Sequence, residues 1–76
     1  SWEGIDLALE LYSRDRFLTL TDAVVAGVAL ADDMCTWLIT TDKVLSNSST
    51  INDISKELRD AGRRSHRMRV GIVRGR

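Results

Sequence analysis

The chain has 76 residues, a formal net charge of zero and a single cysteine, so it forms one small domain or part of a larger one and has no disulfide framework. No apolar run approaches the roughly 20 residues needed to span a bilayer, and no signal-peptide pattern is present. These features argue against a membrane-spanning or disulfide-rich secreted protein, and we expect a cytoplasmic location with no membrane partner.

The first segment, residues 2–14, has apolar residues three or four positions apart, which is the spacing of one face of an α-helix. Glu10 and Arg14 add an i,i+4 ion pair in the favourable orientation. The pattern predicts a helix whose apolar face consists of Trp2, Ile5, Ala8, Leu9 and Tyr12.

The second segment is the most informative part of the sequence. Thr19 and Asp22 have the spacing of the N-cap and N3 residues of a capping box, which predicts a helix start. Residues 23–31 are small and apolar, so we expect this helix to be buried on most sides by neighbouring elements. Asp32 and Asp33 end it, because acids oppose the macrodipole at a helix C-terminus.

A strand is predicted next. Residues 35–40 are rich in β-branched and aromatic side chains without alternation, which is typical of a buried strand in a parallel sheet. Trp37 is expected in the core, and Cys35 is expected to be a small buried hydrophobe. The strand ends just before Asp42.

A third helix is predicted after a polar loop at residues 46–49. Thr50 and Asp53 have the spacing of a second capping box, and Gly62 is a typical C-terminal stop. The predicted apolar stripe of this helix consists of Ile51, Ile54, Leu58 and Ala61. The order of elements indicates a helix-rich α/β architecture.

The C-terminal segment, residues 63–76, is basic. It contains no acid, because all 11 acids lie between Glu3 and Asp60. We therefore divide the chain into an α/β body, residues 1–62, and an arginine-rich basic tail, residues 63–76, with a short edge strand near Val70. The tail is either a contact for an anionic partner or a solvated terminus. The arginines predicted to contact RNA phosphates are Arg63, Arg64, Arg67 and Arg69.

The helix and strand in the middle of the chain are expected to bring Asp22 and Asp42 together. Twelve helical residues rise about 18 Å, and the six steps from Thr36 to Asp42 cover roughly 20 Å as a strand. A short turn makes the two elements antiparallel, so the helix start meets the strand end. Ligands of open α/β sheets bind at this edge.

Two adjacent carboxylates are suited to a hard divalent cation. Mg²⁺ is usually held by one or two carboxylates together with substrate phosphate, and it activates a water for attack on a phosphodiester. The alternative is purely structural: Asp22 caps its helix, and Asp42 ends the strand through an Asx-type turn.

Two sequence motifs carry a resemblance to a known family. Residues 21–30 read TDAVVAGVAL, and residues 38–43 read LITTDK. In this order and spacing they resemble the C-terminal half of PIN domains, the fold of VapC-type toxin ribonucleases, over roughly residues 5–45. The resemblance implies a PIN-like three-layer fold with a parallel sheet, of which this chain is a C-terminal part.

The resemblance also implies a Mg²⁺- or Mn²⁺-dependent ribonuclease site. Asp22 and Asp42 match the family's aspartates at the start of the small-residue helix and after the strand, and Thr40 matches its supporting threonine. The family's remaining acidic ligands belong to elements upstream, and nothing in this chain matches them. We therefore expect RNA as the substrate, an isolated chain without activity, and an antitoxin-like protein or further copies of the chain as partners.

The alternative function is a non-catalytic interaction or oligomerisation module that binds nucleic acid or protein through its basic tail. Other candidate site residues have weaker patterns. Asp32 and Asp33 are expected at the far end of the helix from Asp22, and His66 has no neighbouring residue at metal-ligand spacing.

Overall fold

The computed structural model describes residues 2–74, which form four helices and two strands. In chain order these are α1 (Trp2–Arg14), α2 (Leu20–Ala31), β1 (Trp37–Thr40), α3 (Lys43–Ser46), α4 (Ser49–Asp60) and β2 (Arg69–Ile72). The fold is mixed α/β and rich in helix, as the sequence predicts. No helix in this part of the chain is long and apolar enough to cross a membrane.

The helices α1 and α2 pack closely against each other. A Cβ added at Gly27 would lie 2.5 Å from the Gly4 carbonyl oxygen and 2.6 Å from the Ala8 nitrogen, so only glycine permits this approach. The buried face of α1 is Gly4, Leu7, Ala8 and Leu11.

The predicted apolar face of α1 is therefore wrong except at Ala8. The other four predicted residues are exposed: Trp2, Ile5, Leu9 and Tyr12. They lie at helical spacing on one side of α1, but the core lies on another side, where Leu7 and Leu11 point. Periodicity finds an apolar stripe and does not tell which of two stripes faces the core.

The predicted start and end of α2 are confirmed. Thr19 is the N-cap of a capping box with Asp22 at N3, and Asp32 is the C-cap. The expected burial on most sides is wrong for this chain, because Val24, Val25 and Val28 are exposed. The buried residues of α2 are Ala23, Ala26, Gly27 and Leu30.

The sheet has two parallel strands, with Trp37 of β1 opposite Arg69 of β2 and Thr40 opposite Ile72. The predicted parallel pairing type is confirmed, but the strand is shorter than residues 35–40. The expected full burial is wrong, because Leu38 packs on the core while Trp37 and Ile39 are exposed on the other face. The described chain has no layer that covers this second face.

The C-terminal helix α4 differs from its prediction at its start. Ser48 is the N-cap, not Thr50, so Asp53 is not an N3 residue, and the short helix α3 precedes it unpredicted. The C-terminal stop is confirmed, because Gly62 has a φ of 72° after the helix. The stripe of Ile51, Ile54 and Leu58 is buried, but Ala61 is exposed.

The segment after Gly62 joins the core of the body. Met68 is buried, and its N–H donates to the Ser55 hydroxyl oxygen at 2.6 Å. Gly75 and Arg76 of the predicted basic tail lie outside the described residues. The core cluster consists of Leu7, Leu11, Leu18, Ala23, Ala26, Leu30, Leu45, Ile51, Ile54, Leu58 and Met68.

Candidate functional site

Asp22 is fixed at the start of α2 by its capping box. Its N–H donates to Thr19 Oγ1 at 3.1 Å, and its Oδ2 accepts from the Thr19 N–H at 3.4 Å. The residue is half-buried. Its Oδ1 takes part in none of the hydrogen bonds within residues 2–74, so one carboxylate oxygen is available to a ligand.

Asp42 is fixed just beyond the carboxyl end of β1. Its N–H donates to Thr40 Oγ1 at 3.0 Å, and its Oδ1 accepts from the Val44 N–H at 2.8 Å as the N-cap of α3. Thr40 therefore sets the direction in which the chain leaves the strand. Asp42 is exposed, and its Oδ2 has no hydrogen-bond partner in the described chain.

The end of α2 and the start of β1 are tied together by Arg64. Its guanidinium donates to the carbonyls of Leu30 and Asp32, at 2.6 and 2.9 Å, and to the carbonyl of Cys35. Asp22 and Asp42 lie at the ends of these two elements that are remote from this junction. No hydrogen bond joins the two aspartates.

The two carboxylates fit a divalent cation in donor chemistry but do not form a complete ligand set. Each offers one hard oxygen, which Mg²⁺ and Mn²⁺ prefer. Within residues 2–74 no group of three or more His, Cys, Asp or Glu side chains is placed to hold a metal. The two aspartates would therefore act with water, substrate phosphate or acids of another polypeptide.

The arginines predicted to contact RNA mostly have partners within the chain. Arg63 forms an ion pair with Glu3 at 2.8 Å, and Arg67 donates to the Asn52 side chain. Arg69 lies over the Trp37 ring, 5.5 Å from its centroid. Arg64 is only 4% exposed and is committed to backbone carbonyls, so phosphate does not reach it.

The remaining titratable candidates have structural environments. The Ser65 N–H and hydroxyl both donate to Asp33 at 2.8 Å, and these bonds hold the pKa of the Asp33 carboxyl below its ordinary value. Cys35 is half-buried beside Met68, with 4.0 Å between the sulfur atoms. His66 is exposed.

A cleft beside the start of α3 is absent from the sequence prediction. It lies between the turn after α1 and the starts of α3 and α4, and Arg16, Phe17 and Lys43 line it. Arg16 and Phe17 interrupt the apolar pattern of the first helix. A cation next to an aromatic residue in a turn is the sequence signal that could have indicated this cleft.

Comparison of the chain with family models, with curated proteins and with solved structures finds no match to any of them.

Proposed function

We propose that this chain contributes Asp22 and Asp42 to a Mg²⁺- or Mn²⁺-dependent PIN-type, toxin-like ribonuclease that hydrolyses RNA phosphodiester bonds. The observation that carries the proposal is the corner after β1. Thr40 holds the backbone of Asp42 just past the carboxyl end of a parallel strand, with one carboxylate oxygen unengaged. This edge is where open α/β sheets bind their ligands.

The roles of the residues follow from their positions. A divalent ion, when bound, neutralises phosphate charge and lowers the pKa of a coordinated water. Asp42 Oδ2 and Asp22 Oδ1 would orient that ion, and the Thr40 hydroxyl holds the backbone of Asp42 in place. The capping box does the same for Asp22. Further acids come from other segments or from another polypeptide.

The proposal is tested by an RNA cleavage assay on the full polypeptide that the gene encodes. We expect Mg²⁺-dependent cleavage that EDTA abolishes. Asp22→Asn and Asp42→Asn each lower it by about a hundredfold or more, because a lost metal ligand removes several kcal/mol of transition-state stabilisation. Asp53→Asn is the matched control, since Asp53 is an exposed acid on α4 and leaves cleavage unchanged. Equal activity in all three variants contradicts the proposal.

A second candidate function is an interaction or oligomerisation module, and one observation favours it. Gly27 of α2 faces α1, and Leu20, Val24 and Val28 lie next to it around the helix on the solvent side. Beside them, α1 exposes its own apolar stripe. We name the combined surface the outer apolar face: Trp2, Ile5, Leu9, Tyr12, Leu20, Val24 and Val28.

The outer apolar face is compatible with both candidate functions. Large exposed apolar patches mark interaction sites on soluble proteins, and seven exposed apolar side chains on two packed helices are a candidate for one. In a nuclease the face would receive the segment or chain that brings the missing acids, or an antitoxin-like protein. In an interaction module it would be the functional surface itself. Metal binding therefore separates the two candidates, whereas an oligomer is compatible with either.

A further inference from the structure

The cleft between the turn after α1 and the starts of α3 and α4 has a volume of about 630 Å³. Sites for small ligands occupy roughly 300–1,000 Å³, so the cleft is large enough for one nucleotide. Its walls come from three separate parts of the chain. Arg16 follows α1, Lys43 begins α3 and Thr50 lies in the first turn of α4.

Three cations line the cleft, Arg14, Arg16 and Lys43, against one acid, Asp15. Arg14 is bound by Glu10 and Glu57, at 3.3 and 3.1 Å. Within residues 2–74, by contrast, neither Arg16 nor Lys43 forms an ion pair with an acid. The first turn of α4 also lines the cleft, and its partial positive charge adds to theirs.

Asp15 is the acid that lines the cleft, and both of its oxygens are engaged. Oδ1 accepts from the Phe17 N–H at 3.0 Å, and Oδ2 accepts from the Ser48 hydroxyl at 2.7 Å. Ser48 Oγ in turn accepts from the Ile51 N–H as the N-cap of α4. These bonds link the two walls, so the cleft is held in shape before any ligand arrives.

An aromatic ring completes the site. Phe17 is 70% exposed, and the Arg16 guanidinium lies 5.1 Å from the centroid of its ring. Phe17 is not part of the core cluster. Proteins that bind single-stranded nucleic acid combine a cationic groove with exposed aromatic rings. Backbone phosphate is attracted to the cation, and a base stacks on the ring.

We propose that this basic-aromatic cleft binds one nucleotide unit of a single-stranded nucleic acid. Arg16 and Lys43 hold the phosphate, and the base stacks on Phe17. A free phosphate offers the same anionic group but no base, so it does not explain the exposed ring. The inference rests on the proposed function in one respect, that the bound strand is a substrate delivered beside Asp42. The binding itself requires no metal.

The test measures binding without metal, so a failed nuclease proposal leaves it intact. Fluorescein-labelled oligothymidylate is titrated in EDTA at low salt and followed by anisotropy. We expect Arg16→Gln/Lys43→Gln to weaken binding at least about tenfold. The slope of log K against log salt falls by about 1.4, for two lost phosphate contacts. Phe17→Leu weakens binding at least about fivefold.

The matched control is Lys56→Gln, which removes one positive charge from an exposed position on α4 outside the cleft lining. It leaves binding unchanged, and circular dichroism verifies that each variant is folded. Lys43→Gln alone is the comparison that also removes one charge. Equal weakening by Lys56→Gln and Lys43→Gln overturns the proposal, because binding would then follow net charge. Inorganic phosphate that binds the cleft as tightly as the oligonucleotide, with no effect of Phe17→Leu, also overturns it.

Discussion

Arg64 shows how a single buried side chain holds the described fold together. Its guanidinium satisfies carbonyls at the end of α2 and in the following loop, among them those of Leu30 and Asp32. A cation is also favourable at a helix C-terminus, where the last carbonyls carry partial negative charge. Asp32 and Asp33 at this end of α2 are thereby compensated by a residue from a distant part of the sequence.

We expect Arg64→Ala to lower the free energy of unfolding by about 3 kcal/mol, because several buried carbonyls lose their donor. Arg64→Lys keeps the charge but not the planar fork, and it loses about half as much. Urea denaturation measures both changes. Arg67→Ala is the control, because Arg67 is exposed and its loss changes stability by less than about 0.5 kcal/mol. Equal stability of Arg64→Ala and Arg67→Ala would show that the carbonyl bonds are unimportant.

The bonds from Ser65 to Asp33 predict a pH dependence of stability. Because the pKa of Asp33 is lowered in the folded state, its contribution is complete above the unfolded pKa and is lost as pH falls through the folded pKa. We expect Asp33→Asn to have a lower melting temperature than the wild type at neutral pH. The difference shrinks below about pH 4. Thermal melts from pH 7 to pH 3 measure it, and a difference that grows on acidification contradicts the assignment.

For single residues, the sequence predicts the features that depend on near neighbours in the chain. The Thr19–Asp22 capping box and the Gly62 stop depend on residues within one turn, and both are confirmed. The role of Arg64 depends on carbonyls about 30 positions away, for which a single sequence has no signal. For the same reason the sequence alone does not distinguish Arg64 from the other arginines of the basic tail.

Among the elements, the α1–α2 pair depends on one close contact. A methyl group at Gly27 would lie 2.5 Å from the Gly4 carbonyl oxygen, whereas one at Gly4 would meet Val28 at 3.3 Å. We expect Gly27→Ala to destabilise the fold by about 1–3 kcal/mol through overpacking, despite the better helix propensity of alanine. Gly4→Ala is the matched comparison and should cost less, because its methyl group would meet Val28 at 3.3 Å and no backbone atom closer than that. Calorimetry compares the two, and equal melting temperatures would contradict the close packing.

The longer elements are well predicted, but the buried faces of α1 and β1 are not. Periodicity placed α1 and α2 because it depends on local spacing. It assigned the wrong stripe of α1 to the core and overestimated the burial of Trp37, because burial depends on which neighbours are present. The short helix α3 was missed since four residues give no periodic signal.

For the whole molecule, the outer apolar face predicts association. We expect the sedimentation coefficient of the wild type to rise with concentration, because water is excluded when two such faces meet. Leu9→Lys/Val28→Lys should sediment independently of concentration. Met34→Lys, which replaces an exposed apolar side chain outside the outer apolar face, should behave as wild type. A wild type that stays monomeric at high concentration would remove the support for an oligomerisation module.

The central claim is that Asp22 and Asp42 share one divalent cation, and amide NMR with added Mn²⁺ tests it most directly. The account predicts paramagnetic broadening centred on the amides near Asp22 and Asp42, weakened by either Asp22→Asn or Asp42→Asn and unchanged by Asp53→Asn. Broadening that is diffuse, or centred on one aspartate and indifferent to the other, would contradict it. The two carboxylates would then have only their capping roles.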